Sequence, residues 1–278
     1  MSHRHNHHRP EQFAQRAQQA ALPFTLLEQR EIPCGYERSF KISPGKLLAN
    51  RYLLGISRAD TTPEILKEIC IGLKMPESLL AQFQENLSGA NLVFLGFEEN
   101  QENASYRVYL EYWDKICGEI KQAPHKTHPR LMFLGYKWDI EHPQRQAISE
   151  YTCYPLLSTS EIAERITGIY KTAKDGCTVG CLNNIIDRAV EQAGDRNFIY
   201  LEVSETGSRR SSFDLNLYKS RLRIDDLDDI LIDLQGRYKI KEPPFSRLLE
   251  LVGPKRLGHI SGGITGDGEE FVTCYYEN

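Results

Sequence analysis

The feature that most constrains this chain is a repeated alternation of hairpin and helix. Five pairs of strand-like runs, each pair joined by a short polar turn, recur along the sequence. The first spans residues 36–54 and turns through Ser43-Pro44-Gly45, a turn signal. The others pair 92–97 with 106–113, 131–139 with 147–154, 197–203 with 212–218, and 257–264 with 270–276; the last turns through Asp267-Gly268. Between them lie helical stripes. One runs over 10–28. A second is capped by Thr62 with Pro63 at its first position, and a third starts at Pro76. A short one surrounds Ile116, and two more are carried by Ile162 to Tyr170 (capped by Thr159 or Ser160) and by Leu182 to Val190 before Gly194. The last two cover about 225–235 and 244–252.

The strands alternate with period two. In 37–42, Glu37, Ser39 and Lys41 face one way and Arg38, Phe40 and Ile42 the other; in 212–218, Ser212, Asp214, Asn216 and Tyr218 oppose Phe213, Leu215 and Leu217. The apolar face needs helices over it, and the polar face must meet water or line a cavity. Eight strands close on a filled interior, whereas about ten leave room for a ligand. If such a sheet closes, the fold is α+β: a ten-stranded antiparallel β-barrel ringed by helices. With no Gly/Ser linker dividing it, residues 10–278 are expected to form one domain behind a disordered, histidine-rich tail at 1–9.

Composition narrows the function. A net charge of −4 over 278 residues gives no basic field for nucleic acid. No run of about 18 apolar residues predicts a membrane span. The seven cysteines are odd in number and scattered, and no export signal precedes them, so reduced thiols in a cytoplasm are expected. The acidic run Asp225-Asp226-Leu227-Asp228-Asp229 reads as acids opposing a helix dipole. Cys177 and Cys181 lie one helical turn apart, too little for a zinc site without further ligands.

Glu37 and Arg51 then stand on neighbouring strands of one hairpin, a general base and an anion clamp in outline. The stretch Glu37-x-Ser39-x-Lys41-Ile42 with Lys46-Leu47-Leu48-Ala49-x-Arg51 resembles the start of the cyanobactin peptide prenyltransferases, members of the ABBA (αββα) prenyltransferase group. The 106–107 and 134–136 segments fall where that family has comparable ones. The resemblance implies the same barrel, with Glu37 as base and Arg51 and Arg107 holding an isoprenoid diphosphate. It also implies Mg2+ bound through the diphosphate.

Ionising an allylic diphosphate leaves a carbocation and pyrophosphate. Arg51, Arg107, Lys41 and Lys137 are the candidates for the anion. Tyr109, Tyr151, Trp138, Tyr218 and Tyr275 are candidates for shielding the cation. Asp214, Glu150 and Glu202 are expected to share the lumen and to suit a guanidinium acceptor, and His259 to point inward. The expected function is transfer of a dimethylallyl or geranyl group to an Arg, Tyr or Trp side chain of a ribosomal, cyclic peptide. Two alternatives stand beside it: a pentein-type guanidino-modifying enzyme with Cys274 as nucleophile, and a barrel that binds a small ligand without reacting it.

Overall fold

The computed structural model describes residues 8–100, 102–122, 128–172 and 177–277. Most of the expected tail, residues 1–7, lies outside them. Strands β1 (Gly35–Ser43), β2 (Lys46–Ser57), β3 (Leu92–Glu99), β4 (Ala104–Glu111), β5 (Arg130–Asp139), β6 (Gln146–Tyr154), β7 (Ile199–Glu205), β8 (Ser211–Asn216), β9 (Leu257–Ile264) and β10 (Glu270–Glu277) follow one another around a closed barrel, with β10 pairing back onto β1. Every pairing is antiparallel. All five hairpins stand where the alternation placed them, and Gly45 takes the positive φ (72°) that its turn requires.

The helices are α1 (His8–Glu28), α2 (Pro63–Gly72), α3 (Glu77–Asn86), α4 (Trp113–Gln122), α5 (Thr159–Ile169), α6 (Cys177–Ala193), α7 (Asp228–Tyr238) and α8 (Glu242–Val252). Thr62 caps α2 by accepting from the Ile65 amide at 3.3 Å. The cap of α5 is Ser158, one residue before the expected pair, because Ser158 and Glu161 complete a reciprocal capping box.

Two apolar layers join this belt to the barrel. Phe40, Ile42, Val272, Cys274 and Tyr276 pack with the inward stripes of α5, α6, α7 and α8. Leu54, Ile56, Val108, Tyr136 and Trp138 pack with α2 and α3. A smaller cluster sets Ile116 of α4 against Met132, Cys153 and Leu201, and the lumen residues Phe133 and Tyr151 rest on it. In most strands the apolar face thus looks outward and the polar face turns in; β6 and β7 carry polar residues outward as well. Among the described residues no helix is long and apolar enough to cross a membrane.

Candidate active site

Cross-strand register decides which inward side chains meet. Ser39 lies opposite Arg51 and Tyr275, Lys41 opposite Thr273, and Arg51 opposite Glu98. Arg107 lies opposite Lys137. Like charges facing each other across a sheet repel, so this pairing needs a nearby carboxylate. Glu98 supplies it. Its Oε1 accepts from Arg107 at 2.6 Å and from Lys137 at 3.4 Å. Its Oε2 lies 2.7 Å from the Nε of Arg51 but off the hydrogen-bond line, so that contact is a charge pair rather than a directed bond. Burial alone would push the Glu98 carboxyl up. Arg107, Arg51, Lys137 and Lys41 overcome it and hold Glu98 well below the usual carboxylate range. Arg210, from the β7–β8 turn, joins the group and pairs with Glu205 at 3.7 Å. The result is a cationic chamber of about 380 Å³ at the hairpin-turn end of the lumen. In it, the buried Nε of Arg107 has no hydrogen-bond partner among the described residues.

Toward the opposite end lies a second space of about 100 Å³, lined by Glu37, Leu53, Phe94, Tyr109, Phe133, Asp214 and His259. It shares Tyr151, Asp214 and Tyr275 with the cationic chamber, so the two are parts of one lumen. Glu37 accepts a hydrogen bond from the Tyr218 hydroxyl at 2.7 Å. Gly258 makes room for that pair: a Cβ there would sit 2.6 Å from the Tyr218 ring and hydroxyl and 2.8 Å from a Glu37 oxygen. The Glu37 carboxyl is pushed up by burial, with Asp214 and Glu277 adding to the effect against His259 and the Tyr218 bond. His259 Nδ1 is 2.8 Å from Asp214 Oδ1. Burial opposes its protonation, but the Asp214 carboxylate, with Glu37 and Glu111, raises the imidazole to about 9. His259 is therefore an imidazolium at neutral pH. Its ring also meets those of Tyr218 and Tyr275 edge-on, at 5.3 and 6.0 Å.

The structure thus brings Glu37, Lys41, Arg51, Arg107, Lys137, Tyr109, Tyr151, Tyr218, Tyr275, Asp214 and His259 to one lumen. Tyr218 arrives from the turn after β8 rather than from a strand. Three expected members lie elsewhere. Trp138 is fully buried under the helices, its Nε1 donating to the Leu73 carbonyl at 3.3 Å. Glu150 shares that outward parity and is exposed: it lies opposite Leu134, which stands on the same face of β5 as Trp138. Glu202 also faces outward, held 2.7 Å from Arg165 of α5. Both carboxylates are polar residues on outward-facing positions: at β6 the helical belt leaves that face to water, and at β7 an α5 cation meets it. Cys274, the nucleophile of the pentein alternative, is buried against the helices with its thiol pushed up to about 12 by burial, so it is neither in the lumen nor ionised.

Strand alternation does not point to Glu98 and Arg210, because 98–104 and 205–210 read as turns. Continuing the inward parity of Phe94 and Gly96 by two residues would have reached Glu98.

A closed ten-stranded antiparallel barrel with this helical belt is the ABBA prenyltransferase fold. Among solved structures, the chain superposes on 6-dimethylallyltryptophan synthase from Micromonospora olivasterospora in complex with DMASPP and Trp. The TM-score is 0.57 at 12% identity, covering 87% of this chain and 81% of that one. The 5-dimethylallyl tryptophan synthase from Streptomyces coelicolor gives 0.56 at 12%, covering 87% and 78%. The prenyltransferase PriB, in ternary complex with L-tryptophan and dimethylallyl thiolodiphosphate, gives 0.56 at 12%, covering 87% and 79%. At such identity the common ground is the architecture. No protein-family model and no curated protein sequence matches the chain.

Proposed function

We propose that this protein is a prenyltransferase that moves a dimethylallyl or geranyl group from an isoprenoid diphosphate to a nucleophilic side chain of a peptide. One observation carries the reading: a cationic chamber and a carboxylate chamber join end to end along a lumen walled by aromatic rings. The diphosphate fits the cationic end, where Arg51, Arg107, Lys41, Lys137 and Arg210 converge and the free Nε of Arg107 would find a phosphate oxygen. The C1–O bond then breaks beside Tyr109, Tyr151 and Tyr275, whose faces stabilise an allyl cation by about 0.5–2 kcal/mol each. On attack by the acceptor, Glu37 takes the proton that the acceptor loses. Tyr218 fixes one of its oxygens by hydrogen bonding, and the nearby His259 imidazolium favours the ionised form.

Among the described residues no group of three His, Cys, Asp or Glu side chains could hold a metal ion, and Glu98 is already engaged by three cations. Magnesium therefore belongs in this reading only as a counterion carried on the donor diphosphate.

The acceptor is read as an Arg, Tyr or Trp side chain of a ribosomal, cyclic peptide. The likeness of 36–54 to the cyanobactin enzymes supports the peptide. Glu37 supports a guanidinium, although Glu150 and Glu202 lie outside the lumen and Asp214 is already paired with the His259 imidazolium, which leaves Glu37 as the carboxylate open to it. Cyclic peptides differing only in one Arg, Tyr or Trp, incubated with dimethylallyl or geranyl diphosphate and weighed by mass spectrometry, test it. A gain of one prenyl group on a peptide is expected. Transfer to free tryptophan alone would contradict the peptide acceptor, and no transfer to any acceptor would contradict the reaction.

A further inference from the structure

Five cations line the cationic chamber beside the carboxylates Glu98, Glu205, Asp214 and Asp267, and one of the five stands apart from any ion pair among the described residues. Arg51, Arg107 and Lys137 share Glu98, and Arg210 has Glu205. Lys41 has no carboxylate within ion-pair distance among the described residues. Its Nζ lies instead over the Phe271 ring, 4.1 Å from the centroid. From β1 it shares the chamber with Arg51 on β2, Glu98 on β3, Arg107 on β4, Lys137 on β5, Glu205 on β7, Arg210 from the β7–β8 turn, Asp214 on β8 and Asp267 from the β9–β10 turn; of the carboxylates, Glu98 acts on it most strongly. A lysine can shed its proton in such a place, whereas an arginine cannot.

We propose that Lys41 is a proton-coupled diphosphate ligand: at mildly alkaline pH it stands neutral in the empty chamber and takes a proton from solvent as the donor enters. The inference rests on reading the cationic chamber as the donor site. Its sign follows from the surroundings. Burial, then the like charges of Arg51, Arg210 and Arg107, lower the empty-state ammonium to about 7, against the pull of Glu98. A diphosphate inverts the local field and favours the ammonium. Above about pH 7 binding must then consume a proton, which ends on Nζ and bonds the diphosphate. A neutral Lys41 spares the empty barrel a fifth mutually repelling cation, and the full charge forms only when its counter-charge is present. Donor affinity should accordingly weaken as pH rises above about 7, although the diphosphate itself becomes no less charged.

Calorimetric titration of dimethylallyl thiolodiphosphate, at about pH 8.5 in buffers of different ionisation enthalpy, counts the protons. Wild type should take up close to one proton per donor bound. Lys41→Arg, permanently charged, should bind the analogue with no uptake, and Lys41→Met should bind it about 10-fold or more weakly, also with none. Binding by wild type without uptake overturns the inference and leaves the donor site standing. Uptake that persists in Lys41→Arg assigns the proton to another group, Lys137 first, and also overturns it. Failure of the analogue to bind overturns both the inference and the donor-site reading.

Discussion

In the proposed reaction, the proton step rests on Glu37 and His259. A carboxyl raised by burial loses its power as a base when pH falls through its own pKa, so the acid limb of kcat/KM should lie above the ordinary glutamate value of about 4.3. The His259 imidazolium acts against that rise by favouring the carboxylate. Removing its charge in His259→Gln should therefore raise the Glu37 pKa and move the acid limb to higher pH, while kcat on the plateau changes less. A limb that stays in place would separate the two residues. Gly258 belongs to the same scale. Gly258→Ala drives a methyl into the Tyr218–Glu37 pair. It should cost about 1–3 kcal/mol of stability and depress turnover more than donor binding, measured by denaturant unfolding and steady-state kinetics. Equal loss in kcat and in donor affinity would mean that the whole lumen had collapsed rather than that pair.

At the scale of the element, alternation governs. Phe40 looks into the helical layer and Lys41 into the chamber, although they are neighbours in β1. Phe40→Ala should destabilise by about 3–5 kcal/mol, whereas Lys41→Met, which adds no charge to the chamber, should leave the unfolding midpoint close to wild type. A small Phe40→Ala effect in urea unfolding would show that the layer between β1 and the helices contributes less than its burial indicates. The same alternation explains which expectations were legible in the sequence. Period two separates the two faces of each strand, and where one face is apolar it also says which one is covered. In β6 the outward face carries Gln146 and Glu150 in water, and in β7 it carries Glu202 on Arg165. There both faces are partly polar, and the pattern no longer says which one is inside. Trp138 differs for the opposite reason: residue type sets it with the lumen tyrosines, whereas its parity matches Tyr136 and Leu134 in the helical layer. Tyr218 reached the site without strand alternation at all, from a turn whose approach to Glu37 depends on the missing side chain of Gly258.

For the whole molecule, the five-hairpin rhythm gives ten antiparallel strands with helices over one face; that they close into a barrel is implied by the resemblance to the ABBA enzymes, and the structure shows the closure between β10 and β1. The rhythm does not give the register between hairpins. Register sets Arg51 opposite Glu98 and Arg107 opposite Lys137, and so gathers one end of the lumen as a cation cage and the other as a carboxylate chamber. That polarity along the barrel axis is the central claim, since it orders donor, allyl group, acceptor and base in a line. A crystal structure with dimethylallyl thiolodiphosphate tests it most directly. The diphosphate should lie among Lys41, Arg51 and Arg107, with the dimethylallyl group directed past Tyr109 and Tyr275 toward Glu37. An analogue seated outside the lumen, or lying with its diphosphate against Glu37 and Asp214, would contradict the account.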